Sequence, residues 1–265
     1  MKLQEIICCP ECKENLLAHT RENCYTCTQC SMDYPIVDDV IDFLPQEAER
    51  KRFVQKAMES EHIVRIYESR LWRDGILFKM FTRITLDYEI AIINKIADIG
   101  PSDTLIDLAC GTGIYTRNFA EKNPDRKIIG LDLSWPMLRY GARKARIMGL
   151  KNITFVHGDV HQLPIRNSSA DAANCCAALH LIPDTPKVLN ELSRIIKPNG
   201  RFSASVLLCP SNPFFSLKAY LDDKLWGMHY YHEHELKTLL DSAGFNPAVY
   251  HTRGFWMIVG GVRRS

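Results

Sequence analysis

The residues best suited to binding a metal are four cysteines near the start of the chain. They form two Cys-x-x-Cys pairs, Cys9 with Cys12 and Cys27 with Cys30, with fourteen residues between the pairs. Two residues between thiolates allow one tight turn to direct both sulfurs at a single ion, and two such turns on a small hairpin complete a tetrahedral site. The pattern predicts a zinc ribbon whose four-sulfur Zn²⁺ site is closed and therefore structural.

Two further cysteines leave alternatives open. Cys8 and Cys24 are additional to the four, and Cys24 with Cys27 forms a competing Cys-x-x-Cys pair. The Cys27–Cys30 pair is preferred because the following "SMDYPIVDDVIDFL" is then the strand that completes the ribbon. The other interpretation is that all six are buried thiols without a metal.

A second group of chemically capable residues surrounds the stretch "LIDLACGTGIYTRNF". An apolar run ends at Asp107, continues into Gly111 and Gly113, and leads into a helical pattern. Glycines allow the backbone to turn sharply and to approach a ligand closely, and the helix that follows offers free N–H groups. Because position 116 is Thr116 and not glycine, the loop does not match the dinucleotide-binding pattern G-x-G-x-x-G.

Three acids follow successive predicted strands at intervals of about 25 residues: Asp107, Asp132 and Asp159. The carboxyl ends of parallel strands meet at one edge of a sheet, where such folds bind ligands. A carboxylate there can accept hydrogen bonds from two ribose hydroxyls or from an amine. We therefore expect a ligand that carries a ribose, although any one of these acids alone could instead cap a helix.

Four histidines are candidates for a general base. His180 follows a predicted strand, whereas His229, His232 and His234 lie in "WGMHYYHEHELKTLL". Histidine is the side chain that most often removes a proton from a phenol or hydroxyl. We select His180 as the catalytic candidate; its alternative is a structural role, and His234 is expected to face solvent.

These candidates need a framework that brings strand ends together. From Asp103 onward, short apolar runs alternate with helical stretches, which predicts a parallel α/β sheet covered on both faces. The last two runs are separated only by Gly254, so they must form an antiparallel hairpin. We divide the chain into a zinc ribbon (1–45), a helical linker and lid (46–100) and a ligand-binding domain (101–265).

The composition fits an ordinary globular protein. The 265 residues are 46% hydrophobic and 24% charged, with a formal net charge of +2 and ten cysteines. The N-terminus lacks the apolar core of a signal peptide, and no apolar run reaches the length of a membrane span. We expect a cytoplasmic protein with reduced thiols, and the composition does not indicate an oligomeric state.

The downstream motifs together resemble a known family. "DLACGTG", "GLDLSWPML", "GDVHQLP", "ADAANCCAALHLIPD" and "LSRIIKPNGRF" are similar to class I S-adenosylmethionine-dependent methyltransferases, in the branch of the ubiquinone and menaquinone biosynthesis enzymes (UbiE-like). The resemblance implies a Rossmann-like, seven-stranded sheet with the last strand antiparallel. It also implies S-adenosylmethionine as cofactor and S-adenosylhomocysteine as product.

The resemblance assigns roles to individual residues. It implies that Asp132 holds the ribose hydroxyls, that Asp159 and the Val160 backbone hold the adenine, and that Met137 packs on the adenine. The methionine part would be held by Asp107 and the backbone at Ala109 and Gly111. The remaining residues expected to bind the cofactor are Gly113, Leu133 and Cys176. Alanine at 109, where glycine is commoner in the family, is expected to fit at little cost.

The ribbon resembles the cysteine-rich front end of two methyltransferase groups. One is the ribosomal RNA guanine-N1 methyltransferases, and the other is a set of UbiE-like enzymes of bacteria and plastids. The linker stretch "IYESRLWRDGILFKMF" resembles the second group, which implies that Tyr67 and Arg73 fold over the cofactor pocket as a lid. An aromatic helix packed on the sheet is the alternative.

The acceptor is expected to be a small apolar or aromatic molecule. An aromatic-rich insertion at about 209–232 would bind it; its aromatic residues are Phe214, Phe215, Tyr220, Trp226, Tyr230 and Tyr231. RNA is disfavoured as a partner because the ribbon is net acidic, and the basic helix "RYGARKARIMGLK" is interpreted as a solvated face. Two other functions remain as alternatives: an RNA base methyltransferase and a non-enzymatic module whose ribbon docks a protein.

Overall fold

A single mixed β-sheet organises the protein. The structure, a computed structural model, describes residues 3–19, 23–44, 83–209 and 212–265, with the backbone alone at 213–215. The strands are β1 (Leu16–His19), β2 (Cys24–Cys27), β3 (Asp33–Val37), β4 (Val40–Asp42), β5 (Thr104–Leu108), β6 (Lys127–Asp132), β7 (Ile153–His157), β8 (Ala170–Cys176), β9 (Ile196–Leu207), β10 (Phe245–Arg253) and β11 (Trp256–Arg263).

The helices connect these strands. They are α1 (Leu86–Ala97), α2 (Ile114–Lys122), α3 (Trp135–Ile147), α4 (Thr185–Ile195), α5 (Pro213–Trp226) and α6 (Glu233–Ser242). A short 3₁₀ turn, Leu179–Leu181, follows β8. On β5, Leu105 packs into one apolar cluster and Ile106 into another, so both faces of the sheet are covered. The predicted α/β class, with its buried parallel strands, is confirmed.

The order of the strands places all candidate ligand-binding loops at one edge. Across the described sheet the order is β1-β2-β3-β4-β7-β6-β5-β8-β9-β11-β10. Strands β4 to β9 run parallel to one another, whereas β11 is antiparallel to β9 and to β10. The predicted terminal hairpin is therefore confirmed, and β10 points to the same edge as β5 to β9.

The predicted count of seven strands is wrong for the sheet as a whole. The described sheet has eleven strands, because the four strands of the ribbon continue it beyond β7. Strand β4 pairs in parallel with β7 and aligns Asp42 with His157. An edge strand presents unpaired backbone groups, and β4 satisfies those of β7. Strands β5 to β11 account for the seven that the resemblance implied.

Helix α1 precedes β5 and has a defined first turn, buried face and end. Thr85 caps its first turn, and Ile90, Ile93 and Ile96 are buried on one face, as the periodicity predicts. The helix ends at Ala97 because Asp98 adopts a left-handed conformation (φ 41°). Within the described part of the chain, no helix is both long enough and apolar enough to cross a membrane.

Candidate cofactor edge and cysteine cluster

The loop between β5 and α2 is the centre of the candidate site. Ala109, Gly111 and Gly113 have positive φ angles of 49°, 55° and 76°. A Cβ on Gly113 would lie 3.0 Å from the Phe155 ring, so this glycine is required by space as well as by conformation. The left-handed region costs an alanine about 1 kcal/mol. The expectation that Ala109 fits at little cost is therefore wrong.

Asp107 lies at the end of β5, directly beneath this loop, and is buried. Its two oxygens accept hydrogen bonds from the Thr116 hydroxyl and from the Asn174 amide. Burial raises the pKa of Asp107 to about 7, against the lowering effect of these two donors and with a further increase from nearby Asp132. Asp107 is thus held rigidly at the entrance of the loop.

Asp132 ends β6 and binds the loop from the other side. Its Oδ2 accepts from the Gly111 N–H at 2.7 Å, and its Oδ1 accepts from the Ser134 N–H at 2.7 Å. Burial raises the pKa of Asp132, and the two backbone donors oppose that increase. Each carboxylate oxygen has two lone pairs, so each retains an acceptor site for a ligand hydroxyl.

Asp159 follows β7 and is paired with a histidine. Its Oδ1 accepts from the His161 backbone N–H at 2.8 Å and from Nδ1 of the same residue at 2.7 Å, while His161 Nε2 donates to the Pro183 carbonyl at 2.7 Å. Burial favours the neutral acid, but the His161 hydrogen bonds hold the pKa of Asp159 below its usual value. The bond to Asp159 raises the pKa of His161.

The other predicted cofactor residues lie on both sides of these acids. Cys176 is buried at the end of β8 and lines a small cavity together with Asp107, Ala109 and Tyr115. Met137 is buried in the first turn of α3, and Val160 is buried next to Asp159. Leu133 is half-buried, and its carbonyl accepts from His157 Nε2 at 3.1 Å.

The structure brings Asp107 and Asp132 close together, and Asp159 lies at the same edge of the sheet. Asp107 and Asp132 interact electrostatically; Asp132 binds the glycine loop at Gly111, whereas Asp107 binds Thr116 and Asn174 beside it. Asp159 lines a separate cavity of about 230 Å³ between the ribbon and the strand ends. The ribbon side of this cavity is formed by Pro10, Glu11, Met32, Tyr34, Phe43 and Leu44. No sequence motif indicated that the ribbon would contribute to a cavity at this edge.

His180 lies in the 3₁₀ turn after β8, at the carboxyl edge of the sheet. It is buried, and its ring packs edge-on against Trp256 with centroids 5.9 Å apart. Its carbonyl accepts from the His229 N–H at 2.8 Å, which joins the 209–232 insertion to this turn. His229 is bound by Glu235 at 2.8 Å, and His234 is exposed as expected.

The aromatic residues of the insertion do not form one group. Tyr231 is a core residue, buried with its hydroxyl 2.6 Å from Thr185 Oγ1. Tyr230 donates to Asp222, whereas Tyr220 and Trp226 are exposed on α5. Tyr67 and Arg73, with the predicted lid, lie outside the described residues, as do the side chains of Phe214 and Phe215.

The four predicted cysteines form one cluster. Their sulfurs all lie within 4.8 Å of one another, with Cys9–Cys30 at 3.6 Å and Cys12–Cys27 at 3.4 Å. A tetrahedral site with Zn–S bonds of 2.3 Å requires sulfurs about 3.8 Å apart, so the donor set fits zinc. Cys24, the competing ligand, lies on β2 and its sulfur contacts the Tyr25 carbonyl instead.

Both halves of the cluster are built by the same turn. The Cys9 N–H donates to the Glu14 carbonyl and the Cys27 N–H to the Met32 carbonyl, five residues ahead in each case. Lys13 and Ser31, one position after the second cysteine of each pair, both have positive φ. This repetition explains why the spacing alone indicated the ligands.

Sequence reasoning missed two histidines and misinterpreted one helix. His161, two residues after Asp159, and His157, which contacts Asp42 at 2.7 Å, were not selected, although "HGDVH" places both beside the acid. Helix α3 is not simply solvated: Arg139 pairs with Asp38 at 2.8 Å and Arg146 with Asp39 at 3.0 Å. Acidic groups of the ribbon therefore face the basic helix.

The chain is similar to known methyltransferases. Residues 99–240 match the family described as "Methyltransferase domain". An uncharacterized chloroplastic methyltransferase of Arabidopsis thaliana is 27% identical over 91% of this chain and 73% of its own length. The demethylmenaquinone methyltransferase of Bacillus cereus is 33% identical over 40% of this chain, which spans less than half (46%) of that enzyme.

A solved structure supports the fold independently of sequence. Phosphoethanolamine N-methyltransferase 2 of Haemonchus contortus, in complex with S-adenosyl-L-methionine, superposes with a TM-score of 0.66 at 15% identity. The match covers 83% of this chain and 61% of that one. At this identity the likeness concerns the fold alone.

Proposed function

The chain belongs to the methyltransferase-domain family, and from this premise we propose that it methylates a small organic acceptor that is apolar or aromatic. It is an S-adenosylmethionine-dependent methyltransferase. The menaquinone-type relatives support a small-molecule acceptor. The proposal does not specify whether oxygen, carbon or nitrogen accepts the methyl group.

The loop after β5 fits the cofactor because it leaves acceptors and donors free at one edge. Asp132 keeps one lone pair on each oxygen after binding Gly111 and Ser134, and these two sites suit the two ribose hydroxyls. The backbone at Ala109 and Gly111, with Asp107 and Gly113 beside it, would hold the methionine part. Cys176 closes the cavity on the opposite side.

The adenine would lie toward β7. Asp159 is held ionised by His161, so it can accept from the exocyclic amine, and the Val160 backbone lies next to it. Met137 and Leu133 would contact the adenine from the loop after β6. Tyr67 and Arg73, which lie outside the described residues, would close the pocket from above.

When bound, the cofactor supplies a methyl group on a positively charged sulfur, which is transferred by in-line displacement. The chain's own residues then have to align the acceptor and exclude water. His180 is proposed as the group that takes the acceptor proton. It lies buried in the turn after β8, and its backbone carbonyl accepts a hydrogen bond from the His229 N–H. Its packing on Trp256 fixes the ring orientation.

The 209–232 insertion is the observation that supports the proposed class of acceptor. It leaves and rejoins the sheet at the carboxyl edge, where Leu208 and Tyr231 pair, and His229 ties it to the His180 turn. Helix α5 within it exposes large apolar side chains: Leu217, Tyr220, Leu221, Leu225 and Trp226. An apolar, flat or chain-like molecule suits such a surface better than a polyanion does.

RNA is less compatible with the charge distribution. The ribbon is net acidic, and its Asp38 and Asp39 lie beside Arg139 and Arg146 of α3, which lowers the positive charge of that face. The same pairing leaves less acidic surface for docking a basic partner protein. Neither alternative function is favoured by the described surfaces.

The cysteine cluster is proposed as a structural zinc site. Cys9, Cys12, Cys27 and Cys30 would complete a four-sulfur shell with no position left for a substrate. In this proposal the ribbon comprises residues 1–45, the linker and lid 46–100, and the catalytic domain 101–265. The proposed location is cytoplasmic.

Methyl transfer from a radiolabelled donor tests the acceptor class. The protein is incubated separately with total RNA and with an organic-soluble cell extract, and the label is followed in each fraction. We expect label in the organic fraction and none in RNA above the level given by Asp132→Asn, a variant that should not bind the ribose. Label confined to RNA would contradict the proposal.

A further inference from the structure

Glu89 stands out among the buried side chains of the protein. It lies in the first turn of α1, where the i, i+4, i+7 spacing puts it on the same face as Ile93 and Ile96. It is fully buried, and neither carboxylate oxygen has a hydrogen-bond partner among the described residues. The apolar periodicity of this helix therefore conceals one acid on its inner face.

The other buried acids of the site are treated differently. Asp107 is held by Thr116 and Asn174, and Asp132 by two backbone N–H groups. A buried carboxylate without such partners is strongly disfavoured, unless it is neutralised or meets a cation. Glu89 therefore has a binding capacity that the described fold does not use.

The position of Glu89 connects it with the cofactor cavity. Cys176, which lines that cavity, lies within the electrostatic influence of both Asp107 and Glu89, so it is flanked by two buried carboxyl groups. Helix α1 packs on β8 and β9, and Glu89 is at its N-terminal end, next to the strand ends. Cys176 also packs in the same apolar cluster as Ile90 and Ile93, the neighbours of Glu89 on α1, so Glu89 lies on the Cys176 side of the sheet.

No cation of the described fold occupies this position. The nearest titratable base that interacts with Glu89 is His251 on β10, whose Nε2 also lacks a partner among the described residues. Burial lowers the pKa of His251, so its ring is neutral near pH 7 and cannot balance a carboxylate. No described residue forms an ion pair or hydrogen bond with the Glu89 carboxylate, and a positively charged ligand would supply the missing partner.

We propose that Glu89 is the counter-ion for the positively charged methionine part of S-adenosylmethionine. Two groups of that part carry positive charge, the α-ammonium and the sulfonium, and a buried carboxylate attracts either one. The inference rests on the use of this cofactor and not on the class of acceptor. In the ligand-free protein, Glu89 is a destabilising group that cofactor binding relieves.

Calorimetric binding of three ligands, without any acceptor, tests the proposal. The variants are Glu89→Gln and, as a matched control from the same helical turn, Asp87→Asn, whose side chain is exposed. We expect Glu89→Gln to weaken S-adenosylmethionine binding about tenfold or more. It should leave 5′-methylthioadenosine unchanged, because that ligand lacks the amino acid part. Asp87→Asn should bind every ligand as the wild type does.

S-adenosylhomocysteine distinguishes the two charged groups. It retains the ammonium but has a neutral sulfur, so an equal loss for both full-length ligands identifies the ammonium, and a loss confined to S-adenosylmethionine identifies the sulfonium. The melting temperature of the ligand-free Glu89→Gln protein should be unchanged or higher, because a buried charge is removed.

Two results would overturn the assignment. A comparable loss for 5′-methylthioadenosine, with a lower melting temperature, would mean that Glu89 supports the fold. Unchanged binding of all three ligands, whatever happens to methyl transfer, would mean that Glu89 does not face the cofactor. Both readouts are independent of the acceptor, so failure here would be distinct from failure of the proposed acceptor class.

Discussion

The cysteine cluster and the cofactor edge are both sets of acidic ligands, but they are assembled in opposite ways. The cluster is contained between Cys9 and Cys30 and is formed by two copies of one backbone turn. The cofactor edge draws its acids from the ends of β5, β6 and β7, which only the pairing of the sheet brings together. A local motif and a non-local one therefore coexist in the same sheet.

The two regions also neutralise negative charge differently. Three pairs of cysteine sulfurs lie 3.4 to 3.9 Å apart, and the zinc ion proposed to bind them would balance the charge of their thiolates. Asp132 is instead compensated by backbone N–H groups and Asp107 by neutral side chains. Loss of the ion should thus affect the fold of the ribbon, whereas the cofactor edge persists without a ligand.

Two hydrogen bonds of one histidine join the two regions, in addition to the pairing of β4 with β7 and the ion pairs between the ribbon and α3. Asp42, at the end of the ribbon, binds His157 Nδ1 at 2.7 Å, and His157 Nε2 binds the carbonyl of Leu133, next to Asp132. The ribbon is thereby connected to the loop that would hold the ribose. The comparison between the regions can be tested by substituting a residue of one region and measuring the effect on the other.

The largest effect is expected from Cys27→Ser. Removing one of four zinc ligands should reduce bound zinc from one ion per chain to near zero and lower the melting temperature by about 10 °C or more. S-adenosylhomocysteine affinity should fall less than about tenfold, because Asp107 and Asp132 are held by groups outside the ribbon. Metal analysis, thermal melting and calorimetry measure the three quantities.

Cys24→Ser is the matched control on the same strand. Cys24 is outside the cluster, so zinc content should stay at one ion per chain and melting should change little. If Cys24→Ser lost zinc and Cys27→Ser kept it, the choice of ligands would be wrong. If cofactor affinity vanished with the zinc, the two regions would be one cooperative unit and the contrast would not hold.

The local region was the easier one to predict from sequence. Spacing and the strand that follows identified Cys9, Cys12, Cys27 and Cys30, because a Cys-x-x-Cys turn determines its own geometry. The terminal hairpin followed from the short link between its strands, which is Gly254 and Phe255 in the structure. The addition of the ribbon to the sheet depended on the pairing of Val40 with Phe155, and no short-range signal encodes that contact.

The non-local region was predicted only in outline. Alternating strands and helices were enough to place Asp107 and Asp132 at one edge, but the partners of these acids lie far away in sequence. Glu89 shows the physical limit most clearly: its helical face was recognised as apolar, and the acid on that face was overlooked. Its significance depends on burial and missing partners, which only tertiary structure reveals.

A smaller, pH-dependent effect is expected at the Asp159–His161 pair. The raised pKa of His161 means that its contribution to stability is fully present below the unfolded value of about 6.5 and is lost as pH rises through the folded value. The lowered pKa of Asp159 means that its contribution is lost as pH falls below about 4. His161→Gln should therefore cost stability, about 1 kcal/mol, mainly near pH 6.

Thermal melting of wild type and His161→Gln from about pH 5.5 to about pH 8.5 measures this difference. The gap in melting temperature should be largest at the acid end of that range and should narrow as pH rises. His234→Gln, at an exposed position on α6, should show no such trend. A gap that widens with pH would mean that His161 stabilises the edge as a neutral ring, and the electrostatic description of this region would be wrong.

The smallest effect is expected at Ala109 in the glycine loop. Its left-handed conformation costs an alanine about 1 kcal/mol, so Ala109→Gly relieves strain in the folded state. Glycine also increases the entropy of the unfolded chain, which offsets roughly half of that gain or more. The net change should be between zero and about +0.5 kcal/mol, measured by denaturant unfolding. Ala145→Gly, in the regular helix α3, should instead destabilise by about 1 kcal/mol or more.

Equal losses of stability at both positions would show that Ala109 is not strained. A gain of stability at Ala109 and a loss at Ala145 would show that the cofactor edge tolerates a backbone cost that the family's usual glycine avoids.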